Sequence, residues 1–403
     1  MWRDSKLLIL LASGSLTVMT GAVLAPILPA IIENLPLDEG WAGTLVSAHY
    51  LTMAICSPVL GVLADRLGQL RLLILSLVAY SLVGVAGAFM PDFGTLLLTR
   101  GLMGIATSGI AAGSLGLLTR MYRADARTQA IAYASVALTL ANIVYPLIAG
   151  GLGVFYWRLA FATYGLGIPI AIGAFIVFQR QQGQPEHEGE AIATPMKLST
   201  LFRHPTIVQL LISLVIDSAI VFGMVVYLPI YAQATLNTDT GFNGIVLACM
   251  AIGSALSSVL ALRWLTSRLG ILRVIPLGLG VMAVLLVFVP SLTQTGVVIL
   301  IATLFGAAFG LVTPSFYNGL ATFTPDSLQS SVLATGIGAG FLGQFISPLI
   351  LGRILAWADI SGVFYAIAAA SLITGLLFML HPPQRPTETP VPEPTHPESG
   401  GLR

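Results

Sequence analysis

Apolar runs, separated by short polar or glycine- and proline-containing breaks, fill this chain almost from one end to the other. A bilayer's hydrocarbon core is crossed by about 20 apolar residues in a helix. The breaks divide the runs into twelve predicted spans: 7–32, 42–64, 72–90, 95–119, 129–154, 159–178, 206–232, 242–262, 274–290, 295–318, 330–356 and 362–380. Helices are required, because lipid cannot satisfy an open strand edge. A membrane β-barrel would show short alternating segments, and none recur here. The first run follows Arg3 and Lys6. It is too long for the apolar region of a signal peptide and no small-residue cleavage site follows, so it reads as a retained first helix.

Composition agrees with this pattern. Hydrophobic residues make up 56% and charged residues 9%, against about 25% charged in a soluble domain. A soluble enzyme, a disordered chain and a coiled coil are excluded. A net charge of +1 offers no basic field for nucleic acid. Cys56 and Cys249 lie inside apolar runs and fit neither a disulfide framework nor a zinc site. No phosphate-binding G-x-x-x-x-G-K-[ST] loop, H-E-x-x-H motif or regular arginine series occurs, so ATP drive, metalloenzyme chemistry and voltage sensing are not expected. Twelve spans put both termini on one side. Fifteen of the 18 Lys and Arg residues fall there, against Arg158 and Arg353 on the other side and Arg100 within a helix. The crowded side is therefore predicted to be cytoplasmic, in a multi-pass cell membrane.

The longest polar break, 179–205, carries Glu186, Glu188 and Glu190 and parts the spans six and six. The predicted organisation is a six-helix bundle over 1–178, a cytoplasmic connector over 179–205, a second bundle over 206–380 and a disordered, proline-rich cytoplasmic tail over 381–403. The halves resemble each other at one offset. Asp65-Arg66-Leu67-Gly68-Gln69-Leu70-Arg71 aligns with Ser267-Arg268-Leu269-Gly270-Ile271-Leu272-Arg273, a shift of 202 residues. The same shift places Asn142 to Gly150, with Pro146, on Gln344 to Gly352, with Pro348, and Gly104 and Ala106 on Gly306 and Ala308. The expected fold is an all-α membrane protein with twelve transmembrane helices in two pseudo-symmetric bundles. That architecture places a site between the halves near the midplane.

The break after the second span reads Gly61-Val62-Leu63-Ala64-Asp65-Arg66-Leu67-Gly68-Gln69-Leu70-Arg71. It resembles the loop signature G-x-L-a-D-r-x-G-r-k of the major facilitator superfamily, with Gln69 and Leu70 in place of the usual basic pair. Arg100-Gly101-Leu102-Met103-Gly104 is similar to the family's R-x-x-x-G motif, and Tyr156-Trp157-Arg158 also resembles the family. The resemblance covers nearly the whole chain apart from the tail. It implies the two-bundle fold, alternating access, and a cytoplasmic latch at the Asp65 loop that holds the outward-facing state. Proton-coupled drug exporters of this family carry G-x8-G-x3-G-P-x2-G-G in the fifth helix. Ala132, Ala141, Tyr145, Pro146, Ala149 and Gly150 stand at those positions, so the proline and the final glycine match.

Physical reading of the residues gives the candidates. Gly61 and Gly68 permit close approach and a tight turn. Asp65 can receive a helix N-terminus or an arginine, and with Arg66 and Arg71 forms a cytoplasmic gating motif. A solvated turn is the alternative. Asp217 stands about 11 residues, or roughly 16 Å, into the seventh span. An unpaired charge there costs at least about 2.5–3.5 kcal/mol. Its carboxyl can take a proton on one side and release it on the other, or simply hydrogen-bond a neighbouring helix. His49 and Arg100, in the outer thirds of their spans, are further proton-coupling candidates. Arg100 can also attract an anionic substrate, or snorkel to the outer interface; His49 can also simply pack. Asn142 and Gln344 are repeat-related amides near the midplane, beside the kink-forming Pro146 and Pro348. They fit a substrate cavity, with helix–helix hydrogen bonding as the alternative. Tyr50, Tyr145 and Tyr227 supply aromatic walls.

The expectation is a monomeric secondary transporter, not an enzyme. Its partners are the bilayer, protons and a small-molecule substrate, and it needs no cofactor beyond a proton gradient. Export of small, fairly apolar compounds in exchange for protons is the first reading. Metabolite uptake by proton symport or facilitated diffusion is the second, and a non-transporting membrane receptor the third.

Overall fold

The computed structural model describes residues 4–35, 39–122, 124–179, 205–324 and 329–382. Residues 180–204 of the predicted connector and 383–403 of the predicted tail lie outside the described residues. Among the described residues, eleven stretches are long and apolar enough to cross a membrane. The last, Ser331–Leu380, is 50 residues long and has non-helical backbone at Ala358 and Asp359. It therefore crosses twice, which makes twelve passes.

The passes are α1 (Ser5–Asn34), α2 (Glu39–Leu67), α3 (Gln69–Ala86), α4 (Phe93–Met121), α5 (Ala124–Phe155), α6 (Trp157–Phe178), α7 (Pro205–Leu236), α8 (Thr240–Leu260), α9 (Ile271–Phe288), α10 (Thr295–Thr322), α11 (329–357) and α12 (360–380). Local chemistry sets their ends. Asp92 and Asp239 cap α4 and α8 by accepting from the amides of Thr95 (2.9 Å) and Phe242 (2.8 Å). Asp359, at φ +57°, turns the chain between α11 and α12 and caps α12 through the amide of Ser361 (2.7 Å). α1 is interrupted at Val23, where Pro26 has no N–H for the carbonyl four residues earlier.

The repeat is visible in the backbone. Gly68 turns α2 into α3 at φ +87°, and Gly270, 202 residues later, opens α9 at φ +79°. Both angles lie where glycine alone is free of strain. Pro146 and Pro348 both lie inside their helices, α5 and α11. Gln209, at the start of α7, donates to the carbonyl of His381 after α12 (2.7 Å). The Tyr122 hydroxyl, after α4, donates to Asp4 before α1. Both described ends thus lie on one face, termed here the terminal face; the opposite one is the far face.

Candidate functional site

The two halves meet along α2–α11 and α5–α8, and they are zipped toward the far face. Gly352 lies against the backbone of Gly40, and Pro348 against Gly43. On the other side Gly150 and Pro146 lie against Gly244. A side chain at Gly352, Gly150 or Gly244 would strike opposing backbone, and one at Gly43 the ring of Pro348, so their smallness sets the approach. Hydrogen bonds join the same region: Thr240 to the Gly150 carbonyl (3.0 Å), Asn243 to the Pro26 carbonyl (3.2 Å) and Gln233 to Glu33 (2.6 Å). α2 records the difference between the faces. Residues 42–47 are buried, whereas Pro58, Val59 and Val62, nearer the terminal face, are exposed. The halves form a cleft shut at the far face and open at the terminal one.

The sequence-derived cavity residues occupy different places in it. Tyr50 sits where the halves converge, its ring 5.4 Å from Phe222 and 5.7 Å from Phe341 of the second half. Asn142 and Gln344 stand one helical turn toward the terminal face from Pro146 and Pro348, on the same stripes that meet the opposite half. Asn142 is exposed and donates to the Leu138 carbonyl of its own helix (3.0 Å), so it does not bond one helix to another. Gln344 keeps its side-chain oxygen without a partner among the described residues. Tyr145 shares a hydrogen bond with Ser15 of α1 (2.8 Å). Tyr227 is fully buried with its hydroxyl unpartnered among the described residues, so it sits inside the wall rather than on its surface.

Asp217 is fully buried inside the second half. One carboxyl oxygen accepts from Thr313 of α10 (2.6 Å), and the other has no partner among the described residues. Tyr317 lies one turn along α10 from Thr313. A carboxyl held by one hydroxyl, with an open oxygen, gains or loses a proton without breaking an ion pair.

Arg100 is equally buried in the first half, with no carboxylate partner among the described residues. Its guanidinium donates to the hydroxyls of Tyr164 (3.2 Å) and Thr99 (3.4 Å) and stacks on the rings of Phe161 (5.3 Å) and Tyr164 (5.2 Å). Tyr164 in turn donates to the Thr20 carbonyl (3.1 Å). Snorkelling, one alternative for Arg100, does not occur here: α6 supplies an aromatic cage that holds the cation inside. His49 is buried against Tyr50, with ring centroids 3.9 Å apart, and neither ring nitrogen has a partner among the described residues.

At the terminal face Asp65 pairs with Arg120 of its own half (3.4 Å), while Arg66 and Arg71 are exposed. Gly68 makes the expected tight turn, but Gly61 has no neighbour within reach of a Cβ, so the close approach expected there is not made in this conformation. Sequence reasoning did not pick out Thr313, Tyr164, Phe161 or Ser15. Each is an ordinary residue for its helix, and only the fold brings it to its partner.

The comparisons agree with this geometry. The family model for the Major Facilitator Superfamily matches residues 10–334 and 233–402. The multi-drug resistance efflux pump PmrA of Streptococcus pneumoniae is 23% identical over 376 residues, covering 91% of this chain and 92% of that one. The quinolone resistance protein NorA of Staphylococcus aureus is 24% identical, covering 88% and 90%. A solved D-xylose-proton symporter superposes with a TM-score of 0.73 at 15% identity, covering 94% of this chain and 97% of its own. With its twelve passes, its duplicated halves and a family match across most of its length, the chain belongs to the major facilitator superfamily.

Proposed function

We propose that this protein exports small, fairly apolar compounds from the cytoplasm in exchange for protons, by alternating access, as a monomer in the cell's plasma or inner membrane. Asp217 carries the reading. It is the one fully buried acid among the described residues, and its open carboxyl oxygen and single hydroxyl partner suit a group that is loaded and unloaded with a proton. The positive-inside distribution makes the terminal face cytoplasmic, so the conformation described is the inward-open one. Asp65 and Arg120, paired within one half here, are free to re-partner across the halves when the terminal face closes. The likeness to PmrA and NorA supports export, and the charge-poor walls support an apolar substrate.

The runner-up, uptake by proton symport, draws on the likeness to the D-xylose-proton symporter. Inside-out vesicles containing the protein separate the two. Under a proton gradient acid inside, an exporter accumulates a neutral dye in the lumen and Asp217→Asn removes that accumulation. Accumulation unchanged in Asp217→Asn, with the same pH dependence, overturns the assignment of the proton carrier. Proton-driven movement only toward the bath favours uptake.

A further inference from the structure

An apolar cavity of about 190 Å³ lies between α1, α4 and α5, toward the terminal face of the first half. Gly14, Thr17, Ser114, Leu115, Ala134 and Leu138 are among its walls. Leu138 and Ala134 stand one and two turns toward the terminal face from Asn142 on α5. The cavity therefore lies beside α5, one of the helices along which the two halves meet. Its chemistry is one-sided. The Thr17 hydroxyl is turned to the Gly14 carbonyl (2.7 Å) and that of Ser114 to the Ala111 carbonyl (3.4 Å), and no charged side chain among the described residues lines the space. An ion entering would lose its hydration with nothing in exchange. A Cβ built on Gly14 meets no atom within 4 Å, so the missing side chain leaves the space open. A leucine-lined protein cavity of about 150 Å³ takes up benzene; this one has room for one or two fused rings.

We infer that this cavity is an apolar subsite of the transport pathway, that it takes neutral, compact ring compounds, and that Gly14 sets its size. The inference deepens the export reading and rests on it for the word transport, but binding is tested separately. Ala134→Cys, placed in a chain with Cys56→Ser and Cys249→Ser and reconstituted in lipid nanodiscs, is labelled with N-ethylmaleimide and followed by mass spectrometry. Added 2-methylnaphthalene is expected to slow labelling about tenfold at ten times its Kd, and naphthalene-2-sulfonate to leave it unchanged. Gly14→Leu fills the space while remaining a good helix former, and removes the protection; Gly14→Ala reduces it. Labelling indifferent to 2-methylnaphthalene, equal protection by the sulfonate, or protection surviving Gly14→Leu overturns the inference. So does labelling already suppressed by the lipid acyl chains alone. Vesicle transport is scored on the same variants: protection without proton-driven flux sinks the export reading and leaves the subsite standing, whereas flux without protection does the reverse.

Discussion

Asp217 and Arg100 are the two fully buried side chains of opposite charge among the described residues, and each half of the molecule holds one. Their surroundings differ in kind. Asp217 has one hydroxyl partner and a free oxygen, so its proton can change hands. Arg100 is always charged and is held by two hydroxyls and two aromatic faces. Lysine cannot reproduce that fork and stacking. Arg100→Lys is therefore expected to destabilise the first half by about 1–3 kcal/mol, read as a lower melting temperature in detergent. Thr313→Val should leave folding nearly intact but slow proton-driven transport in vesicles, since it removes the hydroxyl that holds the Asp217 carboxyl in place. At the terminal face, burial pushes the Asp4 carboxyl up. Hydrogen bonds from the Tyr122 hydroxyl and the Lys6 and Leu7 amides outweigh it and hold the group below the usual carboxylate range. A depressed folded value means that the attachment is at full strength above the unfolded pKa of about 3.9 and is lost as pH falls through the lower folded value. Hydrogen exchange at the first turn of α1 should accelerate over that window, and Tyr122→Phe should narrow the pH effect.

At the scale of helices, the smallness of glycine decides where the halves touch. Gly352 on Gly40 and Gly150 on Gly244 bring backbones together at two repeat-related places. Gly244→Val or Gly352→Val is expected to hold the far face ajar, raising alkylation of cysteines introduced beside Tyr50 from that face while slowing transport severalfold. The helices themselves were legible in the sequence. The predicted spans fall within a few residues of the observed ones, because the run of apolar residues is dictated by the bilayer. The duplication was legible too, through the fixed offset around Arg66 and Pro146. What the sequence did not disclose was the role of those prolines. They read as kinks, and only the fold shows that each also packs on a glycine of the other half. That role depends on Gly43 and Gly244, which are remote in sequence and look like any other membrane glycines. The cage of Arg100 was hidden for the same reason: Phe161 and Tyr164 stand in α6 in a run whose apolar pattern has packing as its sufficient explanation.

For the whole molecule, closure at one end and opening at the other predicts a rocking cycle. Glu33 and Gln233 meet across the far face. Cysteines at both positions, joined by a short bismaleimide, should trap the present conformation and abolish transport, whereas either cysteine alone should leave it active. Retained transport in the cross-linked protein would mean that this interface does not need to part.

Asp217, the one buried acid among the described residues of the second half, has an electrical corollary. A carrier with one exchangeable proton, moving an uncharged cargo the other way, displaces one elementary charge per turnover. Each 100 mV across the bilayer then adds about 2.3 kcal/mol to the driving force. A potassium diffusion potential, with no pH difference at all, should power the Asp217 protein and leave Asp217→Asn idle.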